Sequence, residues 1–215
     1  MLVMSLDESE MQEITIWSET KKGGKIVERF PSNATSIDLS DRRIGTTDLS
    51  VLNQFSNVEA LTLSGNEIQS IDLAPLYDCR MLLELSLGGN EIEQIDLTPL
   101  KGCTSLMHLG LSFNRIRTID LTPLERCKNL KVLHLYENRL ERIDLSILSK
   151  CKKLRNLTLE KNQLGFVDVS PLFRCPNLVK FGIDQEVSLT ADAKLKSQSK
   201  VPMGLKPHLD GIVWS

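Results

Sequence analysis

No stretch of this chain is apolar for long enough to cross a membrane: its 215 residues contain nothing near the ~20 consecutive apolar positions that a spanning helix needs. The opening Met1 to Met4 runs directly into Asp7, Glu8 and Glu10, without the basic and then apolar order of a secretory signal. No phosphate loop, G-x-G-x-x-G or HExxH occurs, so the usual signatures of nucleotide, dinucleotide and zinc-hydrolase chemistry are missing. We expect no cofactor, no resident metal and no membrane contact. Aromatic residues make up only 5% of the chain, with two Trp, two Tyr and three His, so the position of each is informative.

What the chain has is periodicity. Its five cysteines, Cys79, Cys103, Cys127, Cys151 and Cys175, stand 24 residues apart, and a fixed period of that length marks a stacked repeat. Five is an odd number, and all five fill one apolar slot that Phe55 fills in the preceding unit. A small buried hydrophobe is the better reading than a disulfide or zinc ligand. The expected setting is reducing and cytoplasmic.

One unit reads LxxLxLxxNxIxxIDLxPLxxCxx. Its clearest copy is Leu106, Leu109, Leu111, Asn114, Ile116, Ile119, Asp120, Leu121, Pro123, Leu124 and Cys127. Full copies start at Val58, Leu82, Leu106, Leu130 and Leu154, a degenerate one at Ala34 and a truncated one at Leu178. Leu109 and Leu111 alternate, so both face inward from a short strand. Asn66, Asn90, Asn114, Asn138 and Asn162 fall where the chain turns, where an inward amide can pair orphaned backbone groups. Thr98-Pro99, Thr122-Pro123 and Ser170-Pro171 read as helix N-caps followed by Pro. Asp72, Asp96, Asp120, Asp144 and Asp168 read as turn or cap acceptors in preference to a functional acidic ladder.

This pattern resembles the leucine-rich repeat family over roughly residues 34–187, and its IDLxPLxxC half is similar to the cytoplasmic, prokaryotic or archaeal kind. The resemblance implies an α/β solenoid: a horseshoe with a parallel β-sheet on the concave face and short helical turns on the convex face. It also implies that ligands meet the concave sheet.

The ends need seals, because a one-repeat-thick core is open at both. Residues 1–33 are expected to form an N-terminal cap, with residues 11–30 as a β-hairpin and Trp17 and Phe30 covering the first unit. Residues 188–215 form a C-terminal cap or tail. Residues 188–198 are polar with a helical tendency, and Leu205, Leu209 and Trp214 are expected to anchor the tail on the last repeat. The rival is a peptide that docks elsewhere through Trp214.

Counting outward positions from the period locates the candidate site. The early units are bland, whereas units three and four place His108, Ser112, Phe113, His134, Tyr136 and Glu137 on the concave side, flanked by Asn156 and Glu160. Aromatic and amphipathic side chains in one patch suit an interface centre. The sheet itself offers only about 300 Å², against about 800 Å² per partner in a standard interface. A partner must also touch edges or caps, or be a short peptide. Charge is segregated: residues 1–100 hold 7 Lys and Arg against 17 Asp and Glu, and residues 101–161 hold 13 against 6. Lys131, Lys153 and Arg155 fall on one edge and Arg115, Arg117 and Arg139 on the other. A basic saddle around the aromatic patch suits an acidic partner, although solvated edges that oppose aggregation would look alike.

The reading that follows is a monomeric, non-enzymatic scaffold for a protein or peptide, acidic in the sharper form. The alternatives are an acidic ligand or nucleic acid on the basic middle, disfavoured by a pI of ≈ 6.0 and the absence of a known module; an enzyme using His108, His134, Tyr136 and Glu160 with Ser112 as the candidate nucleophile, which has no pocket wall or oxyanion donor; and a metal site from His108 and His134 with Glu84 or Glu160, whose histidines stand too far apart by register.

Overall fold

The computed structural model describes residues 12–215. Asp7, Glu8 and Glu10, read above as arguing against a signal peptide, lie outside the described residues, as does position 11 of the expected hairpin. β1 (Glu13–Thr20) and β2 (Lys25–Pro31) pair antiparallel. Alternation sets their faces: Ile14, Ile16 and Ser18 are buried, and Phe30 meets Phe55 edge-on at 6.4 Å between centroids. Trp17 does not cover the first unit. It pairs with Val27 on the outer face and is 54% exposed, because an odd position cannot share a face with Ile14 and Ile16. The two isoleucines do the covering instead.

β3 (Ser36–Asp38) opens the repeats, and β4 (Ile44–Thr47) pairs antiparallel with β1. One short strand per unit follows: β5 (Ala60–Thr62), β6 (Glu84–Ser86), β7 (His108–Gly110), β8 (Val132–His134) and β9 (Asn156–Thr158). β10 (Phe166–Asp168) lies outside this sheet, β11 (Lys180–Gly182) closes it, and β12 (Ser188–Ala191) and β13 (Ile212–Trp214) pair onto β10 in turn. The seven-stranded sheet runs β11-β9-β8-β7-β6-β5-β3. It is parallel throughout, with Leu85 beside Leu109 and Leu109 beside Leu133. This is the expected solenoid. β4 and β10 lead into the equivalent Asp48 and Asp168, and this stretch of the unit becomes strand only at the two ends, where a capping strand lies beside it.

The convex side carries 3-10 turns of four or five residues, Ala74–Asp78, Thr98–Lys101 and Thr122–Arg126 among them. The Ser or Thr before Pro is not the cap: those side chains make no capping bond to the turn. The acceptor is the Asp two residues earlier. Asp96 Oδ1 takes the Thr98 N–H at 2.8 Å and Asp168 Oδ1 that of Ser170 at 2.9 Å, a local Asx turn. The column runs a unit further at each end than the sequence reading placed it, with Asp48 capping Ser50 and Asp192 capping Lys194. Pro follows in the first turn, where its missing N–H leaves no bond unmade.

Each asparagine ties two units together. Asn114 Nδ2 donates to Leu111 O at 3.0 Å and to Leu87 O of the preceding unit at 2.9 Å, while its Oδ1 accepts from Ile92 N at 3.0 Å. Cysteines act similarly but more weakly: Cys103 Sγ donates to Leu76 O at 3.2 Å. All five cysteines are free, and burial pushes the thiols of Cys103, Cys127 and Cys175 up to about 12.

Residues 188–198 are not chiefly helical. Ser188–Ala191 is a strand parallel to β10, and only Ala193–Leu195 forms a 3-10 turn. The chain then returns along Met203–Gly211. Leu205 is fully buried, Gly204 N donates to Leu178 O at 2.9 Å, and Trp214 stands edge-on to Phe173 at 5.8 Å. Among the described residues no helix is long and apolar enough to cross a membrane.

Candidate functional site

At the exit of six of the seven concave strands one residue turns the chain with positive φ. Six consecutive units share this: Asp41 (56°), Gly65 (68°), Gly89 (69°), Phe113 (55°), Glu137 (53°) and Lys161 (56°). The left-handed region costs a residue with a Cβ about 1–2 kcal/mol, which glycine escapes. Two units therefore use glycine, but the three central ones hold Phe, Glu and Lys. Such strain gathers where function requires a particular side chain. Glu137 and Lys161 form an ion pair at 2.5 Å. Phe113 is 47% exposed.

Phe113 is not isolated. Its ring stands edge-on to Tyr136, with centroids 4.8 Å apart, and Tyr136 stands edge-on to His134 at 6.2 Å. Three rings from two adjacent units thus make one ridge on the concave face. His134 is half-buried, and its Nδ1 pairs with Thr158 Oγ1 at 2.9 Å. Burial holds its imidazole below the ordinary range, with Lys180 and His108 acting the same way and Glu160 opposing. Among the described residues two buried side-chain polar atoms lack a hydrogen-bond partner: Ser112 Oγ and Glu160 Oε2. Both belong to the column of Tyr136, one unit before it and one after. Leaving such a group unpaired costs about 1–3 kcal/mol.

The other candidate residues are placed less evenly. Ser112 is 6% exposed and presents no surface to a partner. With no partner on its hydroxyl, Ser112 also lies outside hydrogen-bond reach of His134, so the hydrolase pair is not formed. His108 is exposed, with Nδ1 4.0 Å from Glu84 Oε2. Among the described residues no group of three or more His, Cys, Asp or Glu is placed to hold a metal. Asn156 lies half-buried opposite Val132. The Glu160 carboxylate lies across Gly182 of the next strand, where any Cβ would meet it at 2.0 Å.

The two basic edges differ. Beyond the strand exits Arg115 is tied to Glu91 at 2.9 Å, which also holds Lys21 of the hairpin turn at 2.5 Å, while Arg117 and Arg139 are exposed. At the strand entrances Lys131, Lys153 and Arg155 come together in one groove. The left-handed column is the feature that sequence reasoning missed. Its signal was present, since Gly65 and Gly89 stand in the same register as Phe113.

A family model for the leucine rich repeat matches residues 32–92 and 104–164, together more than half of the chain. A search of curated proteins gave no match. Among solved structures the chain is similar to an internalin C2 of Listeria monocytogenes (24% identity, TM-score 0.62, 84% of this chain and 80% of that one). It is also similar to an internalin, inlF, of the same organism (23%, TM-score 0.55, 74% of this chain and 50% of that one). A third is the ectodomain of the Arabidopsis thaliana membrane receptor kinase GASSHO1/SCHENGEN3, solved in complex with CASPARIAN STRIP INTEGRITY FACTOR 2 (21%, TM-score 0.67, 79% of this chain and 20% of that one). The chain thus spans half of the inlF chain and a fifth of the plant one. At such identities the likeness concerns the fold. The repeat pattern, the parallel sheet and the family match together establish that this chain belongs to the leucine-rich repeat family.

Proposed function

We propose that this protein is a non-enzymatic scaffold that holds a protein or peptide on its concave sheet, centred on Phe113, Tyr136 and His134. The observation that supports this most directly is Phe113 itself. A large apolar ring is kept half-exposed at a backbone position that disfavours a bulky side chain, and a role in contact with a partner accounts for it. Binding of protein ligands is the general role of the family, and the plant ectodomain's complex is one instance of it. We read the chain as monomeric and place it in the cytoplasm, a setting consistent with five free cysteines, four of them buried.

The test is capture from native lysate with wild type, Phe113→Gly and Tyr136→Ala, with circular dichroism on each. Phe113→Gly removes the ring at a position glycine prefers, so its fold is not at risk. A partner held by wild type and lost from both variants supports the reading. A partner held equally by all three overturns it.

A further inference from the structure

We infer a second, separate docking site: a groove at the strand-entrance edge of the last units that takes an acidic peptide segment carrying an apolar side chain. The groove is an open cavity of ≈ 470 Å³ lined by Lys131, Lys153, Arg155, Leu178, Val179 and Met203, with Pro176 and Asn177 at its side. It is built by two features already described. Lys131, Arg155 and Val179 each stand one residue before β8, β9 and β11, so the 24-residue register brings them into a row. Met203 comes from the C-terminal return, which the Gly204 to Leu178 hydrogen bond holds against this edge.

Charge decides the occupant. None of the ion pairs among the described residues involves Lys131, Lys153 or Arg155. Lys153 Nζ donates to the neutral Asn129 Oδ1 at 2.7 Å, and no carboxylate lines the cavity. Arg115, Lys150 and Lys161, by contrast, each meet a carboxylate. Three uncompensated cations close together attract carboxylates and fix the register of an incoming chain. The floor adds the second requirement. Val179 is 47% exposed and Met203 63% exposed, a flexible apolar surface that accommodates an aliphatic or aromatic side chain. Nucleic acid fits less well, because no aromatic ring lines the groove to stack a base. This site stands apart from the concave ridge, and the two readings fail separately.

The test is selection of a random heptapeptide display library on the immobilised full chain. Four proteins are compared: wild type, Lys153→Glu/Arg155→Glu, Met203→Ser and the concave variant Phe113→Gly/Tyr136→Ala. All the groove substitutions are at exposed positions, and circular dichroism checks each fold. The expected result is enrichment of peptides with two or more carboxylates and one bulky apolar residue. Their affinity falls about tenfold or more in the charge-reversed protein, falls in Met203→Ser, and is unchanged in the concave variant. Enrichment without acidic bias, or binding indifferent to charge reversal, overturns the proposal. So does steeply salt-dependent binding of a labelled oligothymidylate with no peptide enrichment, which assigns the groove to nucleic acid. Peptides lost only from the concave variant leave the proposed function standing and remove this site.

Discussion

The ring of Phe113 meets the ring of Tyr136 at 75° with centroids 4.8 Å apart, although the two residues belong to neighbouring units and only Phe113 turns the chain with positive φ. In the two preceding units the equivalent residues are Gly65 and Gly89, which have no side chain to offer. The contact is therefore specific to the middle of the solenoid.

The strain at this position is measurable. Phe113→Ala and Phe113→Gly both remove the aromatic contact, but only glycine relieves the left-handed backbone. Phe113→Gly is expected to be the more stable by about 1 kcal/mol, or roughly 2–4 °C in melting temperature. Equal melting of the two variants would show that φ at 113 carries no strain.

The asparagine ladder predicts a larger effect. Asn114→Ala leaves Ile92 N without its partner and removes one of the two amide bonds accepted by each of Leu87 O and Leu111 O, which keep those from Asn90 and Asn138. At about 1–3 kcal/mol for the orphaned Ile92 N–H, with smaller losses at the two carbonyls that keep one bond each, the cost should be about 2 kcal/mol in urea unfolding. Asn162→Ala, whose amide makes the same bonds in a less buried place, should cost less.

Two glycines separate close approach from mere flexibility. A Cβ at Gly102 would lie 1.6 Å from the Tyr77 carbonyl oxygen, whereas one at Gly165 meets nothing within 4 Å. Gly102→Ala must displace the backbone between two convex turns and should lower the melting temperature sharply. Gly165→Ala should be neutral or stabilising by about 0.4–1 kcal/mol through the unfolded chain. Thermal scans of the two variants check both.

His134 gives a pH dependence with a definite sign. Its folded-state pKa lies below the ordinary 6.5, so below that pH the unfolded chain binds the proton more readily. Stability is then full above pH 6.5 and falls as pH drops from 6.5 toward the folded-state value. Urea midpoints should decline between pH 7 and pH 5 in wild type and decline less in His134→Gln. Identical slopes would assign the acid sensitivity elsewhere.

The fold was legible because the period is strict: Leu109, Leu111 and Asn114 recur in register, and their roles follow from strand alternation and backbone pairing. The ends were harder. The alternation that buries Ile14 and Ile16 also turns Trp17 outward, but ring size outweighed parity in the reading of the sequence. Ser188–Ala191 carries little strand signal, and β10 on one side and β13 on the other supply its pairing. At the site, the period placed His134, Tyr136 and Phe113 on one face, but two facts lay beyond it. The burial of Ser112 depends on side chains of adjoining units, which a one-unit pattern does not contain. The compensation of Arg115 by Glu91 links residues a full unit apart, whereas Lys131, Lys153 and Arg155 have no such counterpart.

The side-chain bonds that reach back 27 residues, from Asn114 to Leu87 and from Cys103 to Leu76, also set how the molecule yields to force. Each unit is fastened to its predecessor, and the units are staggered by 24 residues. Tension on the two ends peels units away singly from whichever cap fails first. Every unit released lengthens the chain by about 80 Å, so the solenoid lets out slack in equal steps and keeps its remaining units intact.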